Sequence, residues 1–426
     1  MKYKKSKYNI IANSPQVQTD DVVIYNTWQC KFITLTREQY EFLQSKDLFE
    51  KNELPQQLIT DKFVLLEALD ETSTMLKQKR QNRWASKEYI HIEVCPTMLC
   101  NMNCAYCFEK EAVKQHMTEE TERDFIDFVK RTVNEHSQLQ IYHITWFGGE
   151  PTLNIDAIKR ISKELISFFN EKNIIYRADM ITNGFLLTKD VSEMLYDECQ
   201  VEKVQITLDG FKETYAHIRN VDESTFDTVL DNIETAKQKV YLRLNVSNTN
   251  ADEQLKLAHY MKERFGDKVV ISYKKLRAFD EQTKLMAPNW EEFEPFRTIY
   301  IDTFYEDAKL YIPNPTKYDK CADCDFCIKD NIIVGSDGFI YRCDAHINIQ
   351  HKAIGTLKEG IDERNEIYED FLNLTEFEND TTCRDCAYSP YCLSGCYEEF
   401  KRGVRPCGQY KYLVNKSIEK YLQQLQ

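Results

Sequence analysis

The chain has 426 residues, 42% of them apolar and 29% charged, with a net charge of −14. Against roughly 100 to 200 residues per domain, that length predicts two or three domains, one of them large enough for a full α/β barrel. No long basic run accompanies the acid excess, so the footprint of a nucleic-acid binder is missing, and no stretch approaches the roughly 20 apolar residues that span a bilayer. The basic start MKYKKSKYNI is followed by no apolar segment, so a cytoplasmic protein is expected. In that reducing setting, fifteen cysteines predict metal ligation or redox chemistry in preference to disulfides.

Along the chain, DVVIYN (21 to 26) and CKFITL (30 to 35) are short β-prone runs joined through Thr27, Trp28 and Gln29, which predicts a hairpin. Thr36 and Gln39 form a capping-box pattern opening a helix to about Gln44. A second short helix and FVLLEAL (63 to 69) complete a small winged-helix-like module over residues 1–85, with the charged stretch 71 to 89 leading out of it as helix or linker. From about residue 90, strands are expected at 91 to 94, 141 to 147, 174 to 182, 203 to 208, 240 to 246 and 269 to 273. Amphipathic helices lie between them: Phe125, Phe128, Val129 and Val133 share a face, as do Ile155, Ile158, Ile161, Leu165 and Phe169, and Phe226, Val229, Leu230 and Ile233. Six βα units over residues 90–310 demand a parallel sheet, either an open doubly wound one or a partial (β/α)6 TIM-like barrel, with active-site groups at the carboxyl ends of the strands. Beyond about residue 315 the alternation stops. Residues 315–426 hold nine cysteines and few long apolar runs, so metals are expected to replace a core there.

Cys30 and Cys199 stand alone and Cys95 precedes the first motif; the other twelve cluster. Cys100, Cys104 and Cys107 in CNMNCAYC follow the first strand of the βα series. Three thiolates on a four-iron cluster leave one iron open, whereas a structural zinc site wants four ligands. This CxxxCxxC run, with Tyr106 before its last cysteine, resembles the radical S-adenosylmethionine (SAM) superfamily. The resemblance implies that the triplet holds a [4Fe-4S] cluster whose open iron chelates SAM, and that reductive cleavage of SAM yields a 5'-deoxyadenosyl radical. It implies further SAM contacts at strand ends. Gly149 and Glu150 lie in GGEP, where glycines permit close backbone approach and the carboxylate suits an ammonium. Thr207 lies in QITLDG, Arg219 in HIRN, and Leu276 falls at a looser match to an adenosine contact. The plainer alternatives are a strand-to-helix turn, a buried strand threonine and a solvated arginine. Asn183 in TNG fits a turn at least as well as a ligand role.

Cys327, Gly338, Cys343, Cys383, Cys386, Cys392, Cys396 and Cys407 are spaced as in the SPASM domain, the auxiliary-cluster module of peptide-modifying radical SAM enzymes; a zinc ribbon would account for only four of these cysteines. The resemblance implies two auxiliary [4Fe-4S] clusters. One takes Cys327, Cys343 and Cys396 with either Cys321 or Cys324; the other takes Cys383, Cys386, Cys392 and Cys407. Asp344 matches the general base of sulfatase-maturating relatives, although a capping aspartate is the plainer reading.

Three functions are compatible with these motifs. The first is a maturase of a ribosomally made precursor peptide, forming a cross-link, a thioether or an epimerised centre, its residues 1–85 binding the leader as an added strand. The second is an anaerobic sulfatase-maturating enzyme forming formylglycine. The third is a non-catalytic metal-binding protein. The first is favoured because sulfatase maturases begin close to the cluster motif. Its implied reductant is a flavodoxin or ferredoxin.

Overall fold

At the amino end, Lys2–Lys5 (β1) and Asn9–Ile11 (β2) are strands too short and too polar to stand out by periodicity. The computed structural model describes residues 1–12, 20–85, 88–277, 279–317, 324–373, 375–393, 395–405 and 407–424. The hairpin forms from β3 (Val22–Asn26) and β4 (Lys31–Leu35), pairing Val22 with Leu35 and Asn26 with Lys31. Asn26 builds its turn: Oδ1 accepts from the Trp28 and Gln29 backbone N–H groups at 3.1 and 2.8 Å, an Asx turn. Helix α1 (Arg37–Gln44) carries the reciprocal Thr36–Gln39 capping box. There follow β5 (Leu48–Glu50), α2 (Gln56–Thr60), β6 (Val64–Leu66) and α3 (Glu71–Trp84). The strands make two three-stranded antiparallel sheets, β5-β1-β6 and β2-β3-β4.

These residues belong to a unit made of Met1–Trp84, Lys309–Cys324 and Leu372–Gln426. Amino- and carboxyl-terminal segments share its core. Tyr8, Trp28, Met75 and Leu76 pack with Phe377 and Leu393, and Tyr25 with Tyr391 and Val414. Polar ties follow the same seam: the Tyr25 and Tyr391 hydroxyls lie 2.5 Å apart, and Lys79 Nζ donates to the Pro390 carbonyl at 2.6 Å. The stretch expected as a single cysteine-held domain from residue 315 is thus divided, residues 325–371 belonging to the second unit.

The second unit, Ala85–Ala308 with Asp325–Phe371, contains the βα series. In order it runs β7 (Tyr89–Thr97), α4 (Glu119–Glu135), β8 (Ile141–Gly148), α5 (Ile155–Lys172), β9 (Ile175–Thr182), α6 (Lys189–Asp197) and β10 (Val201–Leu208). It continues through α7 (Lys212–Arg219), α8 (Ser224–Thr235), β11 (Lys239–Val246), α9 (Ala251–Phe265) and β12 (Val269–Lys275). The six strands pair in parallel in sequential order, from β7 to β12, without the reversal that a doubly wound sheet requires. The two faces differ. Val204, Ile206 and Leu208, with Val240, Leu242 and Leu244, are fully buried on the helix side. By strand alternation, Gln205, Thr207 and Arg243 take the other, partly open face.

That inner face is polar from its amino end. His91 Nε2 lies 2.8 Å from Thr145 Oγ1, which donates to Asp179 Oδ1 at 2.5 Å; His143 Nε2 reaches Asp179 Oδ2 at 3.0 Å. The sheet also extends past β7. β13 (Ile332–Val334) pairs parallel with β7, and β14 (Phe339–Tyr341) pairs antiparallel with β13. Among the described residues no helix is long and apolar enough to cross a membrane.

Candidate active site

The loop after β7 carries Cys100, Cys104 and Cys107, and it is fixed from two sides. On one side GGEP closes on it: Gly149 N–H donates to the Thr97 carbonyl at 3.1 Å and Glu150 N–H to the Leu99 carbonyl at 2.8 Å. The glycines serve this approach. Gly148 has φ +118°, and a Cβ on Gly149 would stand 2.6 Å from the Met98 carbonyl oxygen and nearer still to that of Leu99. On the other side the loop docks on the carboxyl end of α7, where Asn103 and Ala105 N–H groups donate to the Arg219 and Ile218 carbonyls at 3.2 and 2.9 Å.

Glu150 is fully buried. Its Oε1 accepts from Thr152 N–H at 3.1 Å, Thr152 Oγ1 at 2.5 Å and Thr182 Oγ1 at 2.7 Å; its Oε2 accepts from Asn183 N–H at 2.7 Å. Burial raises the carboxyl pKa, against those four donors. Of about four acceptor sites on a carboxylate, one on Oε2 is left for a ligand. Asn183 also donates to Asn101 Oδ1 at 2.7 Å, tying the end of β9 to the cysteine loop.

Arg219 lies in a buried cluster that periodicity could not reveal. Its Nε donates to Asp209 Oδ2 at 2.8 Å, and Tyr106 O–H lies 2.9 Å from both Asp209 oxygens. Burial alone would lower the guanidinium pKa; Tyr106 and Asp209 hold it above its ordinary value. Asp209 stands two residues past Thr207 in QITLDG, and an arginine ten residues on, needing a counter-charge, was the available signal. Thr207 itself is half-buried on the inner face, and Leu276 is buried just past β12, its N–H bonded to the Val246 carbonyl at 2.8 Å.

Cys100 is exposed, Cys104 and Cys107 are half-buried, and none of the three is in a disulfide. Burial raises all three thiols, Cys104 to about 11 although Arg219 opposes it. Thiolates here therefore need a positively charged partner, which iron provides. They lie close enough for their charges to interact, yet among the described residues no three Cys, His, Asp or Glu side chains converge on one point as a single ion requires. A four-iron cluster spreads its ligand sulfurs over separate corners and needs no such convergence. Glu109, buried two residues past Cys107, has its carboxyl pushed up to about 7 by burial, with Lys114 lowering and Asp344 raising it.

In the same unit, Cys343 lies two residues past β14, and Asp344 Oδ1 accepts from Ala345 N–H at 3.1 Å and lies 3.4 Å from Cys343 Sγ. Arg342, fully buried, holds the turn around Cys327 by donating to the carbonyls of Phe326, Ile328, Asn331 and Lys329 at 2.6 to 2.9 Å. Cys324 is exposed; Cys321 lies outside the described residues. In the other unit, Cys383, Cys386, Cys392 and Cys396 are half-buried, Cys383 and Cys392 in short helical turns and Cys386 and Cys396 just outside them, and Cys407 opens the last helix, Cys407–Gln424.

Residues 94–272 match the Radical SAM superfamily. The chain carries a radical SAM domain. Its sequence is similar to a cysteine-type anaerobic sulfatase-maturating enzyme of Clostridium novyi, 26% identical over 361 residues that cover 75% of this chain and 93% of that one. Its fold is similar to anSMEcpe with bound AdoMet and the Cp18Cys peptide, at TM-score 0.61 and 19% identity, covering 79% of this chain and 98% of that one. It is also similar to Streptococcus suis SuiB bound to the precursor peptide SuiA, at TM-score 0.54 and 14% identity, covering 94% of this chain and 97% of that one. A [4Fe-4S] cluster and SAM are what the radical SAM family implies, and the thiol loop fits such a cluster by its donor set and its fixed ends.

Proposed function

We propose that the protein is a radical SAM maturase that modifies a ribosomally made precursor peptide, built as a partial (β/α)6 barrel with an amino-terminal leader-binding module. The observation that carries this reading is the reach of the fold likeness. The similarity to peptide-bound SuiB extends over 94% of the chain, whereas that to anSMEcpe stops at 79%, leaving unmatched a fifth of the chain, the size of residues 1–84. In that module β4 pairs with β3 alone among the described residues, so its outer edge is available to an added strand, the usual mode of leader capture.

Cys100, Cys104 and Cys107 would hold the cluster, with Tyr106, Gly149, Glu150, Thr207, Arg219 and Leu276 around the SAM site. When bound, the cluster and SAM supply a hydrogen-abstracting radical. The chain's own residues do the rest. Glu150 holds the ends of β8 and β9 in place beside the loop, and its remaining acceptor site suits an ammonium. Asp209 and Tyr106 fix Arg219, and through the α7 carbonyls they fix the loop. Asp344 would accept a proton from substrate. The carboxyl-terminal cysteines would hold two auxiliary clusters, which would supply an electron acceptor, and the reductant would be a flavodoxin or ferredoxin.

A second reading, formylglycine formation on a sulfatase, is favoured by the sequence similarity to the Clostridium novyi enzyme and by the Cys343–Asp344 pair. Anaerobically purified protein is expected to bind about twelve irons, three four-iron clusters. Replacing Cys100, Cys104 and Cys107 by Ala should abolish 5'-deoxyadenosine formation under reductant. Coexpression with a small peptide encoded beside the gene, followed by mass spectrometry, separates the readings. Loss of two hydrogens marks a cross-link, and one deuterium gained from D2O marks epimerisation. Conversion only of a sulfatase-derived peptide would overturn the peptide-maturase reading, and stoichiometric zinc with little iron would overturn the enzyme altogether.

A further inference from the structure

The inner face of the parallel sheet carries an arginine with which no carboxylate pairs directly among the described residues. Arg243 stands on β11 in register with Thr207 of β10 and Ser272 of β12, and its Nε donates to Asn245 Oδ1 at 2.9 Å. Leu242 and Leu244 on either side are fully buried against the helices, so strand alternation sends Arg243 to the open face, where it keeps some contact with solvent. Three fully enclosed arginines of this unit have their charge met, Arg219 by Asp209 and Arg297 by Glu294, and Arg342 by four backbone carbonyls. Among the described residues Arg243 has no such partner.

Its surroundings sharpen the point. Burial lowers the Arg243 pKa, and the second positive charge of Arg277, just past β12, lowers it further; Tyr106, Asp344 and Asp209 act in the opposite direction. Those three have their own partners. Tyr106 and Asp209 bond to each other, Asp209 also to Arg219, and Asp344 Oδ1 takes the Ala345 N–H. A guanidinium enclosed by protein is costly unless an anion pairs with it, and two arginines brought together raise that cost further. On the partly open inner face, near Tyr106 of the cysteine loop, the terminal nitrogens of Arg243 match the two oxygens of a carboxylate.

We propose that Arg243 is the carboxylate-binding residue of the inner face, taking the carboxylate of a bound molecule through its terminal nitrogens. Two sources have this chemistry, an acidic side chain of the peptide and the methionyl end of SAM. The inference rests on the SAM-dependent reading above. SAM cleavage by the wild-type protein under reductant tests that reading by itself, so its failure would be seen apart from any failure of the assignment.

The test is equilibrium binding to the full, cluster-reconstituted chain without oxygen, in two arms. One compares SAM with decarboxylated SAM. The other, at saturating SAM, compares the N-methylamides of N-acetyl-aspartate and N-acetyl-glutamate with those of N-acetyl-asparagine and N-acetyl-glutamine. Wild-type protein should prefer the carboxylate by about tenfold or more in one arm, the range of a charge-assisted hydrogen-bonded contact. Arg243→Gln should lose that preference. Loss in the first arm assigns the site to SAM, and loss in the second assigns it to the peptide. Arg243→Lys, which keeps the charge without the fork, should cut the preference several-fold, and carries the test if the glutamine variant fails to fold. No carboxylate preference in the wild type, or a preference unchanged in folded Arg243→Gln, overturns the assignment.

Discussion

Removing Asp209 should both destabilise the radical SAM domain and unload its iron. Asp209 and Arg219 have side chains only 1% and 4% exposed, so Asp209→Ala leaves a buried guanidinium without its counter-charge. Breaking a buried pair from one side costs about 3–5 kcal/mol. At roughly 2–3 °C per kcal/mol for a unit of this size, the midpoint should fall on the order of 6–15 °C. Tyr106 loses its acceptor in the same step. Because Asn103 and Ala105 hang on the carbonyls of Arg219 and Ile218, the loop between Cys100 and Cys107 should loosen with α7. Calorimetry on the apo-protein reads the stability, and iron per chain after anaerobic reconstitution reads the loop. Asp209→Asn, which keeps one acceptor, should fall between wild type and Asp209→Ala in both. A midpoint within about 2 °C of wild type, together with full iron content, would refute the view that this pair anchors the cysteine loop.

Glu150→Gln keeps the shape but turns an NH2 toward one of four donors; it should cost about 2–4 kcal/mol in urea unfolding, and a cost under about 1 kcal/mol would remove Glu150 as the organiser of the β8 and β9 ends. Gly149→Ala should reduce iron content in soluble protein, since its Cβ overlaps the Met98 and Leu99 carbonyls; normal loading would show that the loop yields there. Asp179 is subject to burial, which raises its carboxyl pKa, but the donors His143 and Thr145 and the nearby His91 outweigh it, and the pKa lies below the ordinary value. A depressed carboxyl pKa contributes stability that is complete above about pH 4 to 5 and is lost as pH falls through the folded-state value. The stability lead of wild type over Asp179→Asn should therefore shrink as pH is lowered from 6 toward 3; a lead that grew would contradict the network.

The six strands and their helices were legible because each registers a burial pattern in its own residues. Alternation marks Val201–Leu208, and the 3.6-residue spacing of Phe226, Val229, Leu230 and Ile233 marks α8. The Asn26 turn and the Thr36–Gln39 box were equally local, each closed by side chains within three residues. The cysteine spacings carried the family resemblance for the same reason: a motif is written residue by residue. The sequence by itself therefore determined the βα series, the hairpin and the thiol loop. Only the tertiary structure decided what closes around them. β1 and β13 are three or four residues long and hold their place through partners far along the chain, and the glycines of GGEP meet a backbone some fifty residues away at Thr97–Leu99. The counter-charge of Arg219, and the lack of a carboxylate beside Arg243 among the described residues, likewise depend on which side chains a parallel sheet and its helices bring together, a property of register and crossover that no local periodicity records.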